Sequence, residues 1–499
     1  MAIRILRVML WGREVGRLCL DSHRKLPYFE YNNEWVKSGL DISPLNASIN
    51  NPQNLRPIFG ASEKIYQKLP PFIADSLPDS WGNELFEQWR ILQGIKIGEI
   101  TPLDKLAFIG KRAMGALEFE PETSGFNPKE IINLQALIDL ANQIYSQRQN
   151  AVIEPDQSLT MQALLAVGTS AGGRQPKAII AINSQTGEIR SGQVSGLEGF
   201  EYCILKLGIP ERSTAELEMT YYEMAAKAGI QMMPCRLMTV EGISHFVTQR
   251  FDRDGDKKIH MQTLAAIYPE ANSYEQLLWV CRKMNLSDYD SQEVFRRMVF
   301  NILSNNTDDH NKNFSFLMNE QGHWRLSPAY DMTYIFNLGG FLPETSHCLM
   351  VRGKYDNITL DDVMKLASEN WIRNAETIIG EVADAIKEFR LLATKNGVKE
   401  EWIGRIESCL NKHLSDWGFS AKEQMFSYQD ESGRQIDNAH LEASYKGNYH
   451  LAATIDGKDR KYIIRKGTPQ HQKITELGFS NMTESTIREL VSTILPPKK

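Results

Sequence analysis

The spacing of apolar residues changes character along this chain. In the opening region, alternating runs at Ile3 to Leu10 and Val15 to Leu20 predict strands, and Gly82 to Leu92 predicts a helix. Phe108 to Phe119, FIGKRAMGALEF, sets glycines between apolar residues and predicts a turn entering a strand. Between Glu130 and Gln149, Ile131, Leu134, Leu137, Ile138, Leu140, Ala141 and Ile144 fit an amphipathic helix. A mixed segment from Ser158 to Arg253 holds three strands, AIIAIN, EYCILKLG and HFVTQRFD. From Tyr274 to Lys422 helical spacing dominates, interrupted by a strand pair near Phe314 to Leu326. Alternation returns after Met425 in HLEASYKGNYHLAATI and KYIIRKG, which predicts a small β-rich module.

A chain of 499 residues with 42% hydrophobic and 24% charged positions has the make-up of a globular protein of about two to four domains. No stretch approaches the ~20 apolar residues of a membrane span. Arg4, Arg7, Arg13 and Glu14 interrupt the apolar run that a secretory leader requires. The six cysteines are widely spaced without a C-x-x-C pair, which argues against zinc ligation and a disulfide framework and for the cytoplasm. A net charge of −6 does not advertise a basic nucleic-acid face.

The candidate chemistry centres on NILSNNTDDHNKNFSFL, Asn301 to Leu317. Phe295, Val299, Ile302 and Leu303 lie on one face of the preceding helix, so a buried helix delivers a polar loop. Within it, Asp308 precedes Asn313 at the spacing of the protein-kinase catalytic loop, where the carboxylate orients the attacking hydroxyl and the amide oxygen holds Mg²⁺. Asp309 is the rival base, one position closer to Asn313. FSFLM, a turn and HWRLSP then predict a hairpin ending at Asp331, placed as a metal-binding carboxylate but followed by Met-Thr in place of Phe-Gly. The plainer readings are an Asn/Asp-rich turn and a helix-capping Asp.

Upstream, Lys206 interrupts the apolar strand EYCILKLG and calls for a buried partner unless it lies on a solvent-facing edge. Ser213 and Glu216 read as an S-x-x-E capping box for a following helix that stops at Gly229. Glu218, in the first turns of that helix, is the preferred partner over Glu216 and Glu223. VGTSAGGRQPK, Val167 to Lys177, could cradle phosphate through its glycines or be a plain hairpin turn.

Six strings together resemble the HipA kinase-toxin family: LPDSWGN, IGKRAMGALEF, SAGGRQPK, QRFDR, TDDHNKN and SPAYDM. The resemblance implies an α+β, two-lobed protein-kinase-like fold with an added N-terminal subdomain and a largely helical C-lobe. The units expected are 1–125 (N-terminal subdomain), 126–255 (nucleotide-binding N-lobe region), 256–424 (helical C-lobe) and a C-terminal extension, 425–499, outside the resemblance. It implies ATP and Mg²⁺ dependence, with Asp308 as base, Asn313 and Asp331 on the metal, and Lys206 on phosphate beside Glu218. Thr169, Ser170, Ala171 and Gly172 would form the phosphate loop, with Ser170 autophosphorylated, and Gln249 to Phe251 the adenine hinge. The substrate would be an aminoacyl-tRNA synthetase, whose modification stalls translation and leads to dormancy and persistence. The partner would be a helix-turn-helix antitoxin, through which alone the chain meets DNA. The competing readings are a catalytically silent nucleotide-binding co-repressor, a small-molecule phosphotransferase and a structural scaffold.

Overall fold

Alternation near the N-terminus produces a sheet. Strands β1 (Ile5–Leu10), β2 (Arg13–Leu20), β3 (Pro27–Tyr31), β4 (Ile58–Phe59) and β5 (Leu117–Glu120) pair antiparallel in the order β4-β3-β2-β1-β5. Leu6, Val8, Leu10, Val15, Leu18 and Phe29 are wholly buried between this sheet and short helices that carry Phe72, Leu103 and Leu106. The computed structural model describes residues 3–21, 26–60, 64–124, 131–147, 164–165, 175–193, 195–336, 345–419, 426–430, 434–443, 449–477 and 484–494.

A second five-stranded antiparallel sheet occupies the middle of the chain. It runs β7-β6-β8-β10-β9, with β6 (Lys177–Ile182), β7 (Ile189–Ser191), β8 (Glu201–Lys206), β9 (Cys235–Val240) and β10 (Ile243–Gln249). Because side chains alternate across a pleated sheet, Ala178, Ile180, Cys203, Leu205 and Val247 share one face. They pack there against Trp81, Leu85 and Phe86 of the helix Ser80–Leu92 and Leu137, Ile138 and Ile144 of the helix Leu134–Gln147. The opposite face carries Ile204, Lys206, Phe246 and Thr248 and lines a cleft. β8 is an interior strand, so Lys206 is a buried charge, not a solvent-facing edge residue.

The helix that follows β8 runs Thr214–Lys227 and ends before Gly229, whose φ of 77° supplies the expected stop. Its start departs from the capping-box expectation. Ser213 adopts a left-handed conformation (φ 50°) and its side chain makes no cap hydrogen bond. The preceding turn Pro210–Arg212 brings the chain in from a direction that turns this hydroxyl away, and it accepts instead from the Lys399 N–H at 3.2 Å.

After β10 a small ribbon, β11 (Arg253–Asp254) and β12 (Lys257–Lys258), leads into β13 (His260–Thr263), which pairs with the hairpin β14 (Ser315–Met318) and β15 (Trp324–Leu326). The ribbon touches the first sheet: Trp11, at the β1–β2 turn, donates from Nε1 to the Lys258 carbonyl at 3.0 Å. That anchor holds a bulky residue at φ 48°, in the mirror-image turn that suits strand twist. Helices Tyr274–Lys283, Asp288–Ser304, Leu360–Glu369, Ala375–Lys387, Phe389–Lys395 and Glu400–Asp416 then build one large apolar core.

The tail is more than the β-rich module expected. Strands β16 (Phe426–Gln429), β17 (Gln435–Ala443), β18 (Tyr449–Ile455) and β19 (Lys458–Ile464) form a meander, and helices Pro469–Leu477 and Glu484–Ile494 close over one face. Ile436, Leu451, Ile474, Ile487, Leu490 and Val491 make this unit's own core. On the outer strand β19, Lys458, Arg460 and Lys461 are exposed, charges that discourage pairing with another edge. No helix among the described residues is long and apolar enough to cross a membrane.

His260 gives the fold a predictable acid sensitivity. Burial pulls its imidazole from 6.5 down to about 4, where it packs edge-on against Trp324 with ring centroids 5.6 Å apart. The unfolded chain therefore binds the extra proton between those values, and stability falls as pH drops from 6.5 towards 4, by about 3 kcal/mol at about 1.4 kcal/mol per unit. His260→Phe should remove that part of the slope in urea titrations run across the window. An unchanged slope would exclude His260 as its source.

Candidate functional site

Lys206 organises the cleft. Its ammonium lies 2.6 Å from Glu218 Oε1 and also hydrogen-bonds Asp331 Oδ1. Burial drives the lysine pKa down, but Asp331 and Glu218 more than reverse this and leave it above the ordinary value. Burial likewise raises the Asp331 carboxyl, and Lys206 and Lys177 outweigh it, so Asp331 sits below the usual carboxylate range. For Glu218 burial prevails, and its pKa is raised. Asp331 has φ 54°, a left-handed conformation that Asp tolerates better than most residues.

The loop before it rests on a buried polar foundation. The helix Asp288–Ser304 ends at Asn305 in a left-handed cap, with Phe295, Val299 and Leu303 wholly buried behind. Asp309 then turns inward. Its carboxylate accepts from Tyr274 Oη at 2.6 Å and the Cys348 N–H at 2.7 Å, and meets His347 Nδ1 at 3.0 Å. Asn301 Nδ2 donates to Tyr274 Oη at 3.0 Å, and Asn306 Nδ2 to Asn301 Oδ1 at 2.9 Å. Asp308 faces the other way, its side chain 52% exposed and 3.7 Å from His310 Nε2. Asn313 Nδ2 donates to the Asp308 carbonyl at 2.7 Å, which ties the two ends of the loop together. Asn313 and Asp331 line one recess.

Gln249 and Phe251 line the same cleft as Lys206, Glu218 and Asp331. The Phe251 ring lies 5.4 Å from that of Tyr330. Between them in sequence, Arg250 turns inward to hold Asp252 at 2.8 and 2.6 Å and the Gly192 carbonyl at 2.7 Å. Burial raises the Asp252 carboxyl, but Arg250 and Arg253 pull it down to about 2. The Gly115 N–H donates to Asp252 at 2.6 Å, so the QRFDR and KRAMGALEF strings meet in one buried contact. Thr169, Ser170, Ala171 and Gly172 lie outside the described residues.

Two family models match this chain: one described as HipA N-terminal domain, over residues 6–120, and one as HipA-like C-terminal domain, over 169–389. The chain belongs to the HipA-like family. Among curated proteins this HipA-like chain is 26% identical over 357 residues to “Putative kinase Y4mE” of Sinorhizobium fredii, which spans 66% of this chain and 77% of that protein. It is 30% identical over 105 residues to a “Putative kinase” of Haemophilus influenzae, spanning 18% and 31% respectively. In the solved complex of Shewanella oneidensis MR-1 HipA, HipB and its operator DNA, one chain superposes with a TM-score of 0.58 at 16% identity, covering 83% of this chain and 97% of that one. Neither family model reaches the tail.

Sequence reasoning assigned no role to one wall of the HipA-like cleft. Asp75, Ser76, Leu77, Pro78 and Asp79, from the N-terminal unit, stand across from Lys206. Asp75 accepts from the Thr263 N–H at 2.8 Å and Oγ1 at 2.7 Å. The available signal was the LPDSWGN string itself, an Asp-Ser pair ahead of a helix with no apolar spacing to explain it.

The neighbouring carboxylates Asp308 and Asp309 should respond oppositely to substitution. Asp309→Ala leaves Tyr274, His347 and the Cys348 amide buried without their acceptor, a loss of about 3 to 5 kcal/mol. Asp308→Asn, on the exposed side, should stay within about 0.5 kcal/mol of the parent. Urea denaturation followed by circular dichroism reads both, and equal losses would contradict the division.

Proposed function

We propose that this HipA-like chain is an ATP- and Mg²⁺-dependent serine/threonine protein kinase, the toxin of a bacterial toxin–antitoxin module. The observation that carries the reading is the buried Lys206, bridging Glu218 and Asp331 in a cleft beside an exposed Asp308. Relatives named as kinases agree with it. In this reading the sheet of β6 to β10 and the helix of Glu218 act as the nucleotide lobe, and the helices after Tyr274 as the second lobe. The division into 1–125, 126–255, 256–424 and 425–499 is part of the proposal.

The donor set suits the implied ligands. Glu218 Oε2 and Asp79 Oδ2 are buried without a hydrogen-bond donor, and two lysines face the same space, as a phosphate-bearing ligand with its cation would require. Asn313 and Asp331 would hold Mg²⁺, an ion that takes one or two protein oxygens and completes its shell with water and phosphate. When bound, Mg²⁺ neutralises charge on the phosphates being transferred. Lys206, held by Glu218, fixes the phosphates in place. Asp308 accepts the proton of the attacking hydroxyl, and the Asn313 bridge to its carbonyl fixes the loop. Gln249 and Phe251 form the adenine end of the cleft.

The partners follow from the relationship. A helix-turn-helix antitoxin would bind this chain and carry it to DNA, in keeping with the HipB–operator complex of the Shewanella relative. An aminoacyl-tRNA synthetase in the cytoplasm is the proposed substrate, and Ser170 the proposed site of autophosphorylation.

Asp308→Asn and Asp331→Asn should each cut phosphoryl transfer from Mg²⁺–ATP by at least ~10²-fold. The measurement is radiolabel incorporation into lysate protein with phosphosite mapping, with folding verified by circular dichroism. Near-parental transfer by a folded Asp308→Asn protein would overturn the assignment of the base. Label found only on small molecules would overturn the protein-kinase reading.

A further inference from the structure

Directly opposite Lys206, across the β6–β8 pairing, stands a second buried lysine. Lys177 opens β6, every residue of which is buried, and its Cα partner in the antiparallel register is Lys206. Side chains of directly paired residues emerge on the same face of a sheet, close enough to interact, and like charges so placed repel. Neither lysine has water to screen it: their side chains are 4% and 10% exposed. Two ammonium groups in that arrangement need anions on the same side of the sheet.

Three carboxylates supply them: Glu218, Asp331 and Asp79. Lys177 Nζ lies 3.3 Å from Asp79 Oδ2, with the Asp79 side chain 7% exposed. Lys177 also lowers the Asp331 carboxyl, second to Lys206 among the charges acting on it. Asp79 belongs to the N-terminal unit. Its Oδ1 caps the helix Ser80–Leu92 by accepting the Gly82 N–H at 2.6 Å, and the Trp81 indole donates to the Lys177 carbonyl at 3.2 Å. The lysine and its counter-ion are thus locked at backbone level, and both Asp79 and Lys206 line the cleft.

We propose that Lys177 is a second phosphate-binding lysine of the cleft, and that Asp79 is the counter-ion from which a nucleotide phosphate draws it. This rests on the nucleotide reading above and adds to it a residue pair that joins the N-terminal unit to the phosphates. Adjacent phosphates place several anionic oxygens within a few ångströms, which suits two ammonium groups side by side, each a compact charge with three donors. Phosphate competes with Asp79 for Lys177, so occupancy of the cleft is felt at the head of the helix Ser80–Leu92.

Because Asp79 is a competitor and Lys177 a ligand, their substitutions should move affinity in opposite directions, which damage to the fold alone would not do. The experiment is calorimetric titration of the full chain with ATP in Mg²⁺ buffer and, separately, with adenosine, which lacks phosphates. Lys177→Met should weaken ATP binding by about tenfold or more, the worth of a charged hydrogen bond of about 1.5 to 3 kcal/mol, and leave adenosine unchanged. Asp79→Asn keeps an oxygen for the helix cap but removes the charge, and should tighten ATP several-fold with adenosine again unchanged. An Asp79→Asn protein with the parental preference for ATP over adenosine overturns the counter-ion role. Lys177→Met with parental ATP affinity overturns the lysine role. A parent protein that binds neither ligand defeats the nucleotide reading itself, and this proposal with it.

Discussion

A lysine on an interior strand has to be met by carboxylates before the strand can be buried, because an unpaired charge in a dry site costs more than the few kcal/mol by which a domain is stable. Lys206 meets this demand with groups from two distant parts of the chain. Glu218 comes from the helix that follows β8, and Asp331 from the far end of the β14–β15 hairpin. The central sheet, its helix and the loop-bearing helical region therefore have to come together for this one charge to be satisfied. Hydrocarbon side chains of similar volume could fill such a site with equal or greater stability. A charged arrangement kept at that cost argues for chemistry and not for fold maintenance.

What could be read from sequence was what is local. TDDHNKN was legible because a short loop fixes its own geometry, and Lys206 because a single charge stands out in an apolar strand. Glu218 required a choice among three glutamates on one helix, which the strand-to-helix distance settles. The Ser213 cap was misread because capping depends on the angle at which the chain enters a helix, and the turn Pro210–Arg212 sets that angle. In the tail, the strand alternation was plain, but the spacing of Ile487, Leu490, Val491 and Ile494 also predicted the last helix and was passed over. The Asp79–Lys177 pair was out of reach: its members lie in separate sequence motifs, and only the packing of the helix Ser80–Leu92 on the central sheet brings them together.

That packing gives the N-terminal unit a place in the chemistry of the cleft. Gly115 reaches Asp252 in the buried arginine cluster, Trp11 reaches the ribbon after β10, and Asp75 reaches Thr263 of β13. Each contact ends on a segment between β10 and the helical region, where the two halves of the cleft are joined. A change in the N-terminal unit is therefore transmitted to the cleft through hydrogen bonds to buried charges and backbone amides, which tolerate little displacement.

The two adjacent aspartates show the same logic at the scale of one peptide. In an extended loop, successive side chains point to opposite sides, so Asp309 can sink into the polar network of Tyr274, His347 and Asn301 only if Asp308 is turned outward. A carboxylate that must align a reacting hydroxyl to within a fraction of an ångström gains from a neighbour that cannot move. The inward residue carries the positional precision and the outward one is left to carry the charge, and neither could serve in the other's place without inverting the loop.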